Sequence, residues 1–327
     1  MSDLDPPGIL LPERFVPTPR SISPEAQAFL SHKPPVGQME LPALEDKAGW
    51  RAHAAAANAQ VAAFGARNVT SHPADTITHA LSACPLYEVV PNTLAPENAR
   101  QAILYIHGGG FFMGGGQAAI NSALPFASLA RTRTFSLDYR MPPDDPFPAA
   151  LDDAIEAYRW LLERYRPERI AVYGPSAGGN LAAAVILKAR DLGLPLPGAC
   201  AVHSPCSDCT ESGDSYETNA GLDIILQRRA PQLMALYAGG HDLTDPLLSP
   251  LIADYAPGFP PTLLTTGTRD LLLSSTVLLH RAMRRGGVKA ELHVWEAMTH
   301  APFFNSPEER ELLDETIRFL LEHIAGH

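Results

Sequence analysis

Basic residues are in the minority in this chain of 327 residues. Lys and Arg number 25 against 36 Asp and Glu, a formal net charge of −11. No basic cluster offsets that acidity, which excludes nucleic acid and other polyanions as expected partners. Cysteine is scarce: Cys84, Cys200, Cys206 and Cys209 are too few to staple a chain this long. Cys206-Ser-Asp-Cys209 has C-x-x-C spacing, yet no second pair completes a zinc site and no thioredoxin-like unit follows, so free thiols are expected. No apolar run reaches the roughly 20 residues of a membrane span. The start, Met1-Ser-Asp-Leu-Asp-Pro-Pro, lacks the basic-then-apolar order of a secretory signal. HExxH, P-loop and strand-linked GxGxxG patterns are missing as well. These absences lead to the expectation of a soluble, cytoplasmic protein with no membrane partner and no metal.

What is present is a large apolar fraction, 46% of residues, enough for a sizeable core. Residues 1–70 stand apart. Proline is dense from Pro6 to Pro42, and Trp50–Phe64 is an Ala-rich helix pattern, so one or two helices are expected to lie across the main fold as an N-terminal cap segment. From about residue 84 short apolar runs alternate with helical periodicity. Leu86–Val90, Ala102–Ile106, Thr134–Asp138, Ile170–Tyr173, Ala199–His203, Pro261–Thr266 and Ala290–Glu296 read as strands, and Asp152–Tyr165 and Glu308–Ile324 as helices. That alternation predicts an α/β fold with a mostly parallel sheet covered on both faces. Residues 71–327 form the expected main domain, with a polar, turn-rich insertion at about 205–253 completing the cap.

The strand at Ile170 runs into Gly174-Pro-Ser-Ala-Gly178 and then an Ala/Leu-rich helix. By chance roughly one chain in ten of this length holds G-x-S-x-G, but strand–turn–helix is the setting in which a serine is thrust out on a strained elbow. Serine needs a base, the base an orienting carboxylate, and a developing oxyanion needs donors. In an open parallel sheet these belong in loops at the carboxyl ends of strands. Of the histidines that follow the later strands, His280, His293, His323 and His327 lie in helix, strand or tail patterns; only His300 sits in a post-strand loop. Asp270 occupies the loop one strand earlier, where it suits either an orienting role or a helix N-cap. Asp242, Asp245 and Asp254 fall in the insertion and fit less well.

His107-Gly-Gly-Gly110 directly follows the strand Ala102–Ile106. Three bare glycines let a substrate oxygen approach backbone N–H groups, so Gly108, Gly109 and Gly110, with Ala177, are the expected oxyanion donors. Phe111, Phe112 and Met113 either line an acyl pocket or pack beneath it. Gly114-Gly-Gly116 reads as a flexible loop.

The chain resembles the bacterial hormone-sensitive-lipase-like (family IV) carboxylesterases, a branch of the α/β-hydrolases. The resemblance runs from about Leu86 to the C-terminus, through His107-Gly-Gly-Gly-Phe111, Asp138-Tyr-Arg-Met-Pro-Pro-Asp-Asp-Pro-Phe-Pro-Ala-Ala150, Gly174-Pro-Ser-Ala-Gly-Gly-Asn-Leu181, Asp245-Pro-Leu-Leu-Ser-Pro-Leu251, Pro260-Pro-Thr262, Gly267-Thr-Arg-Asp270 and Glu296-Ala-Met-Thr-His300. It implies an α/β-hydrolase fold with a helical cap, a triad in the chain order Ser176, Asp270, His300, no cofactor, a small-molecule ester as substrate, and a homodimer as a common assembly. Lactones, acetylated small molecules and amides would suit the same triad. A non-catalytic small-molecule receptor of this fold would lack the histidine that is present here. His107 and Arg140 are supporting residues, with Asp144 as the expected carboxylate partner of Arg140. The chain departs from the family pattern at Pro175, where an acidic residue usually precedes the nucleophile, at Pro142-Pro-Asp144 and at Ala301-Pro-Phe303.

Overall fold

A computed structural model describes residues 15–31, 41–226 and 230–325. Among the described residues three helices come first, α1 (Pro24–Ser31), α2 (Lys47–Gly65) and α3 (Arg67–Ser71). α2 starts where the Asp46 carboxylate accepts the Gly49 N–H at 2.8 Å, a side-chain cap for one of the orphan donors of a helix N-terminus. The sheet follows: β1 (Ala74–Ala80), β2 (Pro85–Pro91), β3 (Ala102–Ile106), β4 (Arg133–Leu137), β5 (Ile170–Pro175), β6 (Ala199–His203), β7 (Thr262–Gly267) and β8 (Ala290–Trp295). Between and after the strands come α4 (Gln117–Ala130), α5 (Ala149–Leu162), α6 (Ala177–Asp191), the short α7 (Ser215–Thr218), α8 (Pro231–Ala238), α9 (Leu273–Arg285) and α10 (Pro307–Ile324). The eight strands lie in the order β1-β2-β4-β3-β5-β6-β7-β8. β1 and β2 run antiparallel to their neighbours and the rest are parallel.

The period of two along each strand divides the core into two layers. Leu104 and Ile106 of β3, Val172 of β5 and Val202 of β6 join α5, α6 and α9 on one face. Ile103, Tyr105, Ala171, Tyr173 and Ala201 turn to the other face, against α4 and α10. The central strands are apolar throughout because both faces are covered. A third cluster docks α1 against the chain after β8, through Ile22, Ala26, Met298 and Phe303. Ser23 completes the attachment, its N–H and Oγ–H both donating to Glu308 at 2.7 Å.

The sequence-expected strands all form, within a residue or so of their predicted bounds. β1 is the one that periodicity missed: Ala-Asp-Thr-Ile-Thr-His-Ala is an edge strand with no buried residue, so it carries no apolar signature. The helix expected at Asp152–Tyr165 starts earlier, at Ala149, and ends at Leu162. Part of the proline-dense N-terminal stretch lies outside the described residues. No helix among the described residues is long and apolar enough to cross a membrane.

Candidate active site

Ser176 sits between β5 and α6 with φ 56° and ψ −121°, a conformation that costs a non-glycine residue on the order of 1–3 kcal/mol. The glycines around it make the turn possible. A Cβ on Gly178 would lie 1.9 Å from the Ile106 carbonyl oxygen, and one on Gly174 would lie 2.2 Å from that of Gly178. The elbow is held by hydrogen bonds to the next strand and its loop: the Ser176 N–H donates to the His203 carbonyl at 2.8 Å, and the Cys206 N–H to the Ser176 carbonyl at 3.1 Å. Pro175 ends β5 opposite His203.

The loops after β7 and β8 bring Asp270 and His300 to this elbow. His300 Nε2 lies 2.9 Å from Ser176 Oγ, and His300 Nδ1 lies 3.3 Å from Asp270 Oδ1. With its proton on Nδ1, the imidazole donates to the carboxylate and accepts from the serine. Asp270 is fully buried, and its carboxylate has further donors. The Leu272 N–H reaches Oδ1 at 2.9 Å, the Thr266 hydroxyl reaches Oδ2 at 2.6 Å, and the Ser204 hydroxyl also donates to Oδ2. Burial pushes the Asp270 pKa up, but the hydrogen bonds and charge of His300, Ser204 and Thr266 prevail and hold it below the ordinary range. Burial likewise opposes an imidazolium at His300, and the hydrogen bond and charge of Asp270, with the charge of Asp223, outweigh it and hold His300 above an ordinary histidine.

Asp223 was not singled out by sequence reasoning. It is buried, and its carboxylate accepts four backbone N–H groups: Leu271 at 2.9 Å and His300 at 3.0 Å on Oδ2, Ile225 at 2.8 Å and Leu226 at 3.1 Å on Oδ1. One carboxylate thus ties the His300 loop, the Asp270 loop and the segment between β6 and β7. The local half of that pattern is an Asx turn, legible in principle from an Asp just before Ile225; the distant half has no sequence signal. Asn219 adds to the tie, donating to the Asp270 carbonyl at 2.8 Å. His203, the last residue of β6, also reaches the site: it lies 3.2 Å by Nε2 from the His300 carbonyl and 3.0 Å by Nδ1 from Thr265 Oγ1. Burial pushes its pKa down to about 4, so it serves there as a neutral ring.

The glycine loop lies beside Ser176. A Cβ on Gly108 would sit 3.0 Å from the Pro175 carbonyl oxygen and 3.4 Å from Ser176 Cβ, whereas Gly110 faces Phe112 and Leu233. Ala177 is the first residue of α6, so its N–H has no partner within the helix. His107 braces the loop from behind. It is buried, stacked on Tyr139 with ring centroids 4.2 Å apart, and hydrogen-bonded through Nδ1 to the Gly108 carbonyl at 2.7 Å. The run Gly114–Gly116, expected to be flexible, is pinned instead. Gly114 N–H donates to Asn58, Gly116 N–H donates to Asp138, and a Cβ on Gly114 would collide with the Gly108 carbonyl and the His107 ring.

A cavity of about 930 Å³ opens over these groups. Phe111, Phe112 and Met113 all line it. Phe111, with φ 66°, stacks on Tyr237 of α8 at 3.7 Å, and Phe112 stacks on His53 of α2 at 5.5 Å. Both aromatics therefore line the cavity and pack against the covering helices at once.

Two expectations need correction or completion. Arg140 does not pair with Asp144. Its guanidinium grips the buried Asp153 of α5, Nη2 to Oδ1 at 2.7 Å, with the Arg140 N–H on Oδ2 at 2.8 Å, while Asp144 pairs with Arg51 of α2. The carboxylate one helical segment later is closer in space than the one four residues on, because Asp144 points outward to α2. Cys206 and Cys209 are both buried thiols within the segment after β6, with Cys209 Sγ–H on the Leu248 carbonyl at 3.0 Å and Cys206 Sγ 3.7 Å from Met234 Sδ.

Fold and geometry together define a class, and comparison with known proteins places the chain in it. Residues 103–304 match the profile of a family described as alpha/beta hydrolase fold. An acetyl-hydrolase of Streptomyces hygroscopicus is 35% identical over 240 residues, 73% of this chain and 77% of that protein, and other curated relatives are named esterases and carboxylesterases. The crystal structure of an esterase called E25 superposes with a TM-score of 0.88 at 33% identity, over 97% of this chain and 99% of that one. An esterase described as from the bacterial hormone-sensitive lipase family matches with a TM-score of 0.75 at 30% identity, over 92% of this chain and 99% of the other. The chain belongs to the α/β-hydrolase family, in its hormone-sensitive-lipase-like (family IV) esterase branch. It is a carboxylesterase.

Proposed function

We propose that the chain hydrolyses short- to medium-chain or small cyclic and aromatic esters through a Ser176–His300–Asp270 triad and an acyl-enzyme. The observation that carries this reading is the unbroken line of contacts from Ser176 Oγ to His300 Nε2 at 2.9 Å and from His300 Nδ1 to Asp270 at 3.3 Å. Ser176 Oγ attacks the acyl carbon as its proton passes to His300 Nε2. The carbonyl oxygen becomes an oxyanion received by the N–H groups of Ala177 and of the glycine loop, Gly108 and Gly109 with Gly110 alongside. When the tetrahedral adduct collapses, the C–O bond to the alcohol breaks and His300 returns the proton to the leaving oxygen, leaving an acyl–Ser176 ester. Water then repeats both steps, releasing the acid and restoring the serine. Asp270 stays ionised throughout, since its depressed pKa opposes protonation, and fixes the Nδ1–H tautomer.

The helices α1–α3 and the segment at about 205–253 are read as the cap, which excludes water from the apolar cavity and favours a small apolar ester over a polymer. Removal of an acetyl group from a small molecule is the second reading, favoured by the name of the Streptomyces relative. The deciding experiment measures p-nitrophenyl ester hydrolysis, acetate to dodecanoate, with Ser176→Ala alongside. Loss of the nucleophile is expected to lower turnover by about a million-fold. A Ser176→Ala enzyme that kept the parent's rate would remove the triad assignment.

A further inference from the structure

The glycine loop beside Ser176 is a closed turn, and one peptide unit closes it. The N–H groups of Phe112 and Met113 both donate to the Gly109 carbonyl, at 3.2 and 3.1 Å. Gly109 has φ 121°, and a Cβ there would lie 2.1 Å from the Met113 carbonyl oxygen. One residue on, a Cβ on Gly114 would lie 2.5 Å from the Gly108 carbonyl oxygen and 2.6 Å from His107 Nδ1. The Met113–Gly114 peptide therefore rests against Gly108 and Gly109, two of the residues whose N–H groups are read as oxyanion donors. Its carbonyl lies on Gly109, and in a trans peptide the N–H faces the opposite way, out of the turn.

That N–H is received by α2: Gly114 donates to Asn58 Oδ1 at 2.5 Å. Asn58 is half-buried and follows four alanines, Ala54 to Ala57. Asparagine is a poorer helix former than alanine, so local propensity argues against it in this place and the contact with Gly114 argues for it. The helix itself is seated on both sides of this residue. Trp50 and His53 pack on the Phe112 ring, with centroids 5.9 and 5.5 Å away. One turn beyond Asn58, the Ala62 carbonyl accepts from Asn121 Nδ2 at 3.0 Å, and Gly65 lies so close to Asn121 that a Cβ would come within 2.9 Å. These contacts hold α2 in place without an acceptor at residue 58.

We infer that Asn58 is a positioning residue for ester hydrolysis: from α2 it fixes the Met113–Gly114 peptide, and through it the direction of the Gly108 and Gly109 N–H groups. This rests on the reading of those amides as the oxyanion hole and of Ser176 as the nucleophile. Without the acceptor the peptide is free to rotate, and the glycines beneath it have no side chains to resist. An oxyanion exists only in the tetrahedral states, so misaligned donors lower kcat and leave KM in place.

The test measures p-nitrophenyl butanoate hydrolysis and inhibition by an alkyl trifluoromethyl ketone for the parent, Asn58→Leu and Asn58→Asp. The ketone carbon bonds to Ser176 Oγ, the serine proton passes to His300, and the carbonyl electron pair moves to oxygen. Its affinity therefore reports the oxyanion hole directly. Asn58→Leu fills the space and offers no acceptor, whereas Asn58→Asp keeps one. Asn58→Leu is expected to lower kcat about tenfold or more with KM changed less than about twofold, and to weaken the ketone by the same factor as kcat. Asn58→Asp is expected to stay within about threefold of the parent in both readouts. Should Asn58→Leu not fold, Asn58→Ala makes the same comparison, alanine being the best former of this helix. Parental kcat in Asn58→Leu would overturn the inference. So would equal losses in the Leu and Asp variants, or a fall in kcat with ketone affinity unchanged. Ser176→Ala hydrolysing the ester at the parental rate would instead remove the underlying triad, an outcome separable from the others because it leaves Asn58 untouched.

Discussion

Ser176 is held at φ 56° by a strand, a helix and two glycines that admit no side chain, so the strain is imposed by the fold and is available to expose the hydroxyl. His300 has the opposite character: nothing in its own backbone is unusual, and its chemistry is set by Asp270. Two predictions belong to these residues. Asp270→Asn offers Nδ1 a donor where it needs an acceptor and favours the wrong tautomer, so kcat is expected to fall by about 10⁴, measured by steady-state hydrolysis of a p-nitrophenyl ester. The second concerns pH. His300 must be neutral to accept the serine proton, and Asp270 raises its pKa. Activity is therefore present above that pKa and is lost as pH falls through it. The acid limb of kcat/KM should have its midpoint above the roughly 6.5 of an ordinary histidine; a limb centred well below that value would contradict the electrostatic picture. At this scale the meeting of Ser176, Asp270 and His300 was legible in advance, since each follows a strand that periodicity could place. Asp223 and His203 were not, because their partners lie 77 and 97 residues away.

Elements supply the rigidity that keeps these side chains in place. The loops after β7 and β8 and the segment after β6 converge on the Asp223 carboxylate, and Asp223→Ala would leave buried N–H groups on all three unsatisfied. At about 1–3 kcal/mol for each unsatisfied group, partly relieved by relaxation, the expected loss is about 3 kcal/mol in urea unfolding. Activity should fall as well, since His300 N–H is one of the released donors. Arg140→Met would strand the buried Asp153 of α5 without its guanidinium partner. Because Arg140 is itself a third exposed, the expected cost is discounted to about 2 kcal/mol, again read from urea unfolding. Asp144→Ala, by contrast, removes a surface pair with Arg51 and should leave the unfolding midpoint almost unchanged. β1 shows why element prediction stopped short at the edge of the sheet: its Ile77 is exposed, and a strand that buries nothing leaves no apolar alternation to detect.

At the scale of the whole molecule, two core layers share one sheet, and all four cysteines lie inside. Burial pushes the Cys84 thiol up to about 12 and raises that of Cys200 as well, while the hydrogen bond with Cys209, together with burial, raises that of Cys206, so thiolate is scarce at these three at neutral pH and access requires unfolding. A thiol-specific reagent such as Ellman's should therefore label almost nothing in the native protein at pH 8 and four groups in strong denaturant. Rapid labelling of Cys206 or Cys209 in the native state would mean that the segment after β6 opens on its own. The N-terminal helices belong to the same cooperative body: Trp50 of α2 is fully buried, and Asn121 of α4 is tied to the Ala62 carbonyl and to Asn68.

Sequence alone determined the α/β class, the order of the parallel strands' motifs and the placement of Ser176, Asp270 and His300 in loops after three of those strands, because those depend on local periodicity and on which residue follows a strand. Tertiary structure decided everything that depends on distance through space. It chose Asp153 over Asp144 for Arg140, recruited Asp223 and His203, and pinned the second glycine run. A side chain's neighbours along the chain limit its conformation, but only the packed fold settles which far-off carboxylate or empty space it meets.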